Sequence, residues 1–373
     1  MNSFLDKIPG QPRVKKILNN FLQSESIPHA FLFTGIDGVG KENAAIQFAK
    51  TLVSQKNISG NNDVKAKGID NLREPFLKFI IPLPRGKNEI DSSNPTEKLT
   101  QDEIDLIREQ LKIKSDNPFH KISIARANSI KINSIRDIKK FLSMNYTETD
   151  FRFILISNAH LMNEEAQNAL LKSLEEPPDD VIFILTTSVI SKIRPTIISR
   201  CWKINFDPLQ NDEVAKILVE KFDVNLAIAN EVSAFAMGSV QIALNLIQDD
   251  FHSLKEQTIS VLRYSFGRKF DSAFNVLNSM LISQSSIDFN IIISMMLTWL
   301  NDIQRHKLNI GNYFYSDYLE TFEKFNNKFP SVDLNAITSI LDKLSNLTRN
   351  NINQNLLSAN LVFELASVVL DKK

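Results

Sequence analysis

Two uninterrupted apolar runs constrain this chain more than any other feature. Phe153-Ile154-Leu155-Ile156 and Val181-Ile182-Phe183-Ile184-Leu185 flank a helical stretch, Glu164 to Glu176, which Pro177-Pro178 stops. A strand that alternates apolar and polar residues can leave one face in water, whereas one that is apolar throughout must be covered on both. Strand, helix and strand therefore read as a βαβ unit in a parallel sheet between helices. In such sheets ligands gather at the carboxyl ends of the strands. Here those ends carry Ser157-Asn158 and Thr186-Thr187, and neither has an acid.

A second strand-and-helix unit lies upstream. Val14, Ile17, Leu18, Phe21 and Leu22 pattern a helix over residues 11–24, and Ile27 to Thr34 reads as a short buried strand. It runs into Gly35-Ile36-Asp37-Gly38-Val39-Gly40-Lys41-Glu42, after which a helix resumes through Ala44, Ala45, Phe48, Ala49 and Leu52. A phosphate-binding loop reads G-x-x-x-x-G-K-[ST] in this setting. Gly35, Gly40 and Lys41 fit, and Gly38 adds backbone freedom. The last position does not fit: Glu42 stands where a hydroxyl would hold Mg²⁺, and its carboxylate would repel bound phosphates. The expectation is a degenerate loop with weak or absent ATP binding, or one kept only as a strand-to-helix turn, with no cofactor.

The remaining chain sorts into an α/β part followed by an all-α part. Residues 55–118 are rich in Asn, Asp, Ser, Lys, Gly and Pro, with an apolar island at Phe76 to Ile81 and a capping box at Thr100-Gln101-Asp102-Glu103. This segment reads as an insertion at the rim of the first domain. Ile122-Ser123-Ile124 reads as a strand, Ile132 to Met144 as an amphipathic helix and Trp202 to Phe206 as the last strand. A small helical set follows over 210–248, and everything beyond residue 250 is helical in period. The division expected is an α/β domain over 1–207, a small helical lid over 208–250 and a helical domain over 251–373.

Composition narrows the function classes. The 373 residues include 43 basic and 43 acidic ones, so no global field draws the chain to nucleic acid or to a membrane, and a stand-alone nucleic-acid-binding module is disfavoured. Cys201 is the only cysteine, which excludes an intramolecular disulfide and a multi-cysteine zinc site. The opening residues show no apolar signal segment, and the run from Ile291 to Leu300 is too short to span a bilayer. A soluble, cytoplasmic protein is expected.

Several motifs together carry a resemblance. They are Gly10-Gln11, His29-Ala30-Phe31-Leu32-Phe33-Thr34-Gly35, Gly38-Val39-Gly40-Lys41 and Ala159-His160-Leu161-Met162. Further along come Asn168-Ala169-Leu170-Leu171-Lys172-Ser173-Leu174-Glu175-Glu176-Pro177-Pro178 and Arg194-Pro195-Thr196-Ile197-Ile198-Ser199-Arg200-Cys201. In this order they resemble the delta-prime family of bacterial DNA polymerase III clamp-loader subunits, which are AAA+ proteins. The resemblance covers about 1–54 and 119–245 and is only architectural beyond. It implies an AAA+ P-loop-type α/β domain, a lid and a C-terminal collar that joins a hetero-oligomer. The implied partners are gamma/tau and delta subunits, with the sliding clamp and primer-template DNA reached through the assembled complex.

The resemblance also gives positions roles. ATP-hydrolysing relatives end the strand at Ser157 with Asp-Glu, and the lid's phosphate-sensing arginine would fall at Gln241. With Glu42 these make three separate losses, of base, phosphate clamp and metal, so no ATP hydrolysis is expected. The family's zinc module would lie near 55–118, where this chain has no cysteine, so no metal is expected. Ser199 and Arg200 remain: the resemblance makes Arg200 an arginine finger reaching a neighbour's nucleotide site, the alternative being an ion pair with a local carboxylate. An active gamma/tau-like ATPase with an atypical metal site at Glu42 is the rival. His29 and His160 read as packed, hydrogen-bonded side chains, Cys201 as a buried apolar one, and Glu175-Glu176 as the end of a solvated face.

Overall fold

The computed structural model describes residues 4–24, 26–56, 68–70, 72, 74–144, 151–283, 288–348 and 353–368. It divides into two compact units, Met1–Glu213 and Val214–Lys373. The first runs α1 (Pro12–Gln23), β1 (Ala30–Thr34), α2 (Lys41–Lys56), β2 (Leu77–Ile80), α3 (Gln101–Asp116), α4 (Ile132–Ser143), β3 (Arg152–Ile156), α5 (Glu164–Glu175), β4 (Val181–Thr187), a short α6 (Pro195–Ile198) and β5 (Trp202–Asn205). The five strands form one parallel sheet in the order β2-β3-β4-β1-β5.

Successive side chains of a strand point to opposite faces, so each apolar run feeds two cores. Phe31, Phe33, Phe153, Leu155, Ile182 and Ile184 pack with Leu18 of α1 and with Phe48 and Leu52 of α2. Leu32, Ile154, Ile156, Phe183 and Leu185 pack with Ile135 and Ile138 of α4 and with Leu170 and Leu174 of α5. The doubly covered parallel sheet that the two apolar runs demand is present.

The sheet edge departs from expectation. Ile122-Ser123-Ile124 forms no strand; the edge place beside β3 belongs to β2, from the apolar island of the segment read as an insertion. Ile124 instead joins Ile81, Leu99 and Ile107 in a small separate core. Part of residues 55–118 is therefore sheet, and residues 57–67 lie outside the described residues. The capping box starts α3: Glu103 N–H donates to Thr100 Oγ1 at 3.3 Å and Thr100 N–H to Glu103 Oε2 at 2.9 Å.

One side chain ties three elements of this unit together. Arg152, the first residue of β3, is 5% exposed. Its Nε and Nη2 donate to both oxygens of Asp180, just before β4, at 2.5 and 2.9 Å. Its Nη1 donates to the carbonyls of Phe141, Leu142 and Met144, at 3.2, 2.9 and 2.8 Å, satisfying the open C-terminal end of α4. Only the planar guanidinium fork fits this geometry. Arg152→Ala should lower unfolding stability by about 3 kcal/mol or more, and Arg152→Lys should recover little of it. Urea denaturation followed by circular dichroism measures both, and a lysine variant as stable as the native chain would refute the fork's role.

The second unit is helical: α7 (Asn211–Phe222) begins at the boundary, followed by α8 (Leu226–Ser233), α9 (Val240–Gln248), α10 (Phe251–Phe266), α11 (Phe270–Ser283), α12 (Phe289–Lys307), α13 (Leu319–Lys328), α14 (Leu334–Leu347) and α15 (Gln354–Val368). None of the described helices is long and apolar enough to cross a membrane. Lys255 of α10, only 2% exposed, donates to Glu231 of α8 at 2.5 Å. The rings of Phe251, Tyr315 and Tyr318 surround its ammonium at 5.4–5.7 Å. This cage joins the segment expected as lid to the helices beyond residue 250 by a charge that burial forces to stay paired.

Candidate functional site

The loop after β1 turns sharply because its glycines allow it. A Cβ on Gly35 would stand 2.5 Å from the carbonyl oxygen of Phe206, so only glycine lets β1 and the chain after β5 run this close. Gly40, at φ +95°, takes a left-handed conformation that delivers the chain into α2. Gly38 is also left-handed, at φ +78°. The strand, glycine turn and helix expected of residues 30–56 are all in place.

Lys41 is committed to its own loop. Its side chain is 6% exposed, and Nζ donates to the carbonyls of Gly35 and Ile36 at 2.6 and 2.7 Å, with Asp37 Oδ1 at 3.8 Å. Burial is the main influence lowering its ammonium pKa, against the opposing charges of Asp37 and Glu42. Burial by itself would raise the Asp37 carboxyl, but the ammoniums of Lys121, 3.1 Å away, and Lys41 hold it below its ordinary value.

Glu42, read from the motif as a carboxylate that would repel bound phosphates, has partners of its own in the fold. Its carboxylate pairs with Lys114 of α3 and accepts a hydrogen bond from Ser157 Oγ. Lys114 is 4% exposed and also donates to the carbonyls of Pro118 and His120, at 2.8 and 2.7 Å. The segment read as a rim insertion thus supplies a buried counter-charge to the one residue that departs from the phosphate-loop pattern. A signal was available. Lys114 continues the stripe of Ile107 and Leu111 at helical spacing, so a lysine stood on the inward face of α3.

The strand ends complete the site. Ser157 is 3% exposed. Asn158 takes a left-handed backbone, φ +51°, and its N–H donates to Thr186 Oγ1 at 3.2 Å. Thr187 Oγ1 lies 3.1 Å from His160 Nδ1. His160 is therefore the packed, hydrogen-bonded residue expected, but His29 is exposed, a correction that follows from its place ahead of β1 rather than within it. The ends of β3 and β4 carry hydroxyls and an amide, from Ser157, Asn158, Thr186 and Thr187. Gln241 occupies the first turn of α9 in the second unit.

Arg200 is far more accessible than Lys41. It follows α6 and its side chain is 35% exposed. Nη1 donates to the carbonyl of Thr196 at 2.8 Å and Nη2 to Glu175 Oε1 at 2.7 Å. Glu175, the last residue of α5, is itself 46% exposed. In the single chain Arg200 thus has the local carboxylate that was its alternative reading. The Ser199 hydroxyl donates to the Thr196 carbonyl at 3.1 Å. Burial pushes the Cys201 thiol up to about 12, so it stays protonated and inert.

The family described as DNA polymerase III, delta subunit, matches residues 10–210. The chain belongs to this family of clamp-loader AAA+ proteins. DNA polymerase III subunit gamma of Buchnera aphidicola subsp. Acyrthosiphon pisum is 28% identical over 65% of this chain and 57% of that protein. Subunit delta' of Bacillus subtilis is 28% identical over 71% of this chain and 68% of that one, and subunit tau of the same organism 28% over 65% and 37%. The chain thus spans less than two thirds of the gamma and tau relatives. A gamma subunit-related protein from Thermotoga maritima superposes over 95% of this chain and 99% of that one at 14% identity, with a TM-score of 0.43.

Two expectations test this site. Breaking a buried pair strands a charge, so Glu42→Gln and Lys114→Met should each destabilise the chain. Their double-mutant cycle should show a coupling of about 2 kcal/mol, and urea titrations with additive effects would contradict the pair. His120 and His160 are both held below the ordinary imidazole value of 6.5, mainly by burial. The unfolded chain then binds protons more readily than the folded one, so stability is complete above 6.5 and falls as pH drops below it. Unfolding midpoints at roughly pH 7.5 and pH 5.5 should differ in that direction, and His160→Gln should reduce the difference.

Proposed function

We propose that the chain is the delta-prime-type, non-hydrolysing subunit of a DNA polymerase III clamp loader, supplying Arg200 in trans to a neighbouring ATPase subunit. The observation that carries this reading is the closed loop. Lys41 is spent on carbonyls, Glu42 is tied to Lys114 and Ser157, and the strand end offers a serine and an asparagine. A P-loop ATPase needs its lysine on the phosphates, a hydroxyl and an acid on Mg²⁺, and a residue that positions the attacking water. Phosphate binding would require Lys41 to leave two hydrogen bonds, and it would place a polyanion beside Glu42. We accordingly propose that the loop holds neither ATP nor a metal ion.

Family membership and the exposed guanidinium support the second half of the proposal. Glu175 is a weak tether, since an ion pair this exposed is worth about 0–1 kcal/mol. A neighbour's phosphate oxygens would displace it readily and engage the fork bidentately. The proposed partners are gamma/tau and delta subunits, and through them the sliding clamp and primer-template DNA. The collar role belongs to the helices beyond residue 250.

Reconstitution with gamma/tau and delta subunits tests the proposal. Arg200→Ala should leave assembly intact while turnover at the nucleotide site facing this chain falls roughly 10³-fold. Glu175→Gln should leave that turnover at or above the native rate. Unchanged turnover with Arg200→Ala would remove the finger. ATP hydrolysis by the isolated chain, abolished by Lys41→Ala, would instead establish the gamma/tau-like reading.

A further inference from the structure

The helical unit holds a cleft of about 360 Å³ among α10, α12 and α13. Its walls are aromatic. Trp299 meets Phe325 edge-on at 5.1 Å, and Phe325 lies 5.5 Å from Phe266 and 5.3 Å from Phe329. Its rim is cationic, with Arg263, Lys324 and Lys328, and among the described residues no acidic one lines it. Lys324 pairs with Glu320 at 2.6 Å, both side chains being largely exposed, and Lys328 Nζ sits 5.4 Å from the Phe329 ring. Trp299 is 2% exposed, yet its indole Nε1–H is shielded from solvent with no acceptor among the described residues.

These features point one way. An open aromatic cleft favours a bulky apolar group. Arg263 and Lys328, with Lys324 exchangeable from its exposed pair with Glu320, select an anionic flank. We propose that this cleft is a docking site for an acidic peptide segment of a partner protein, which inserts one aromatic or large aliphatic side chain against Trp299 and Phe325. Carboxylates on either side face Arg263, Lys324 and Lys328. The site lies outside residues 10–210, which the family match covers, and it does not depend on the arginine-finger reading.

A fluorescein-labelled peptide of Asp and Glu with one central Phe is the probe, titrated into the full chain and followed by fluorescence anisotropy. It contains no tryptophan, so in a Trp202→Phe background the protein's emission reports Trp299 alone, the chain having two tryptophans. Saturable binding with a shift in that emission is expected. The surface variant Lys324→Glu/Lys328→Glu should weaken it about tenfold or more, and Trp299→Phe should weaken it while native circular dichroism is retained. The proposal is overturned by equal affinity for the same peptide with Ser in place of Phe, since the lysines would then be attracting any polyanion. It is also overturned by no binding at millimolar peptide. Self-association in sedimentation that Lys324→Glu/Lys328→Glu abolishes would overturn it too, by making a second copy of the chain the occupant.

Discussion

A parallel sheet covered on both faces leaves little room for chemistry except along its carboxyl edge, and this constraint organises the first unit. With β1 between β4 and β5, and β3 beyond β4, the segments that leave β1, β3 and β4 open onto the same edge. That is why Lys41, Ser157 and His160, far apart in sequence, share one neighbourhood. The edge strand β2 matters for a different reason. The chain that leaves it turns into α3, and the last turn of α3 brings Lys114 to Glu42.

The charges gathered there satisfy one another. Lys41, Lys114 and Lys121 face Asp37 and Glu42, and the donors of Lys41 and Lys114 left over from these pairs are taken by main-chain carbonyls. A hydrogen bond to a charged group contributes about 1.5–3 kcal/mol when its loss leaves the partner unsatisfied. Opening the loop would forfeit several of these at once. A bound phosphate could repay Lys41, but it would leave Glu42 facing like charge at short range in a medium less polarisable than water. The carboxylate of Glu42 thus has its counter-charge within the fold, in Lys114.

Sequence reasoning succeeded where burial leaves a continuous trace. β1, β3 and β4 are wholly buried, and their apolar runs announce it. It failed at the β2 edge of the sheet, where burial is partial and the trace breaks, although the other edge strand, β5, is where the sequence places it. β2 has only four residues, with half-buried Lys78 inside it, and so resembled an island in a polar segment. Ile122-Ser123-Ile124 alternates as a half-buried strand should, yet it serves a local core with no strand beside it. The glycine turn is legible from motif and spacing, whereas the role expected of Arg200 comes from the resemblance. Lys114 was overlooked because a lysine on an amphipathic helix is usually a solvated residue, and only its phase relative to Ile107 and Leu111 marks it as inward.

Accessibility separates the two cationic features that the phosphate-loop and arginine motifs singled out. Lys41 and Lys114 are nearly sealed, so their charges are fixed in internal pairs that would be expensive to exchange. Arg200 is a third exposed and rests on a carboxylate that water also solvates, so exchanging that partner costs little. Its position adds to this. The C-terminal end of α5, where Glu175 lies, carries the negative end of the helix dipole, which favours a cation nearby even when the carboxylate lets go. The hydrogen bond to the Thr196 carbonyl also holds the guanidinium from its own side, so releasing Glu175 frees one edge of the fork without freeing the whole side chain. A partly anchored, partly exposed guanidinium loses less conformational freedom on meeting a phosphate than a free arginine would. The two groups thus differ by one rule: buried charges are committed to partners within the fold, and exposed ones are held only loosely.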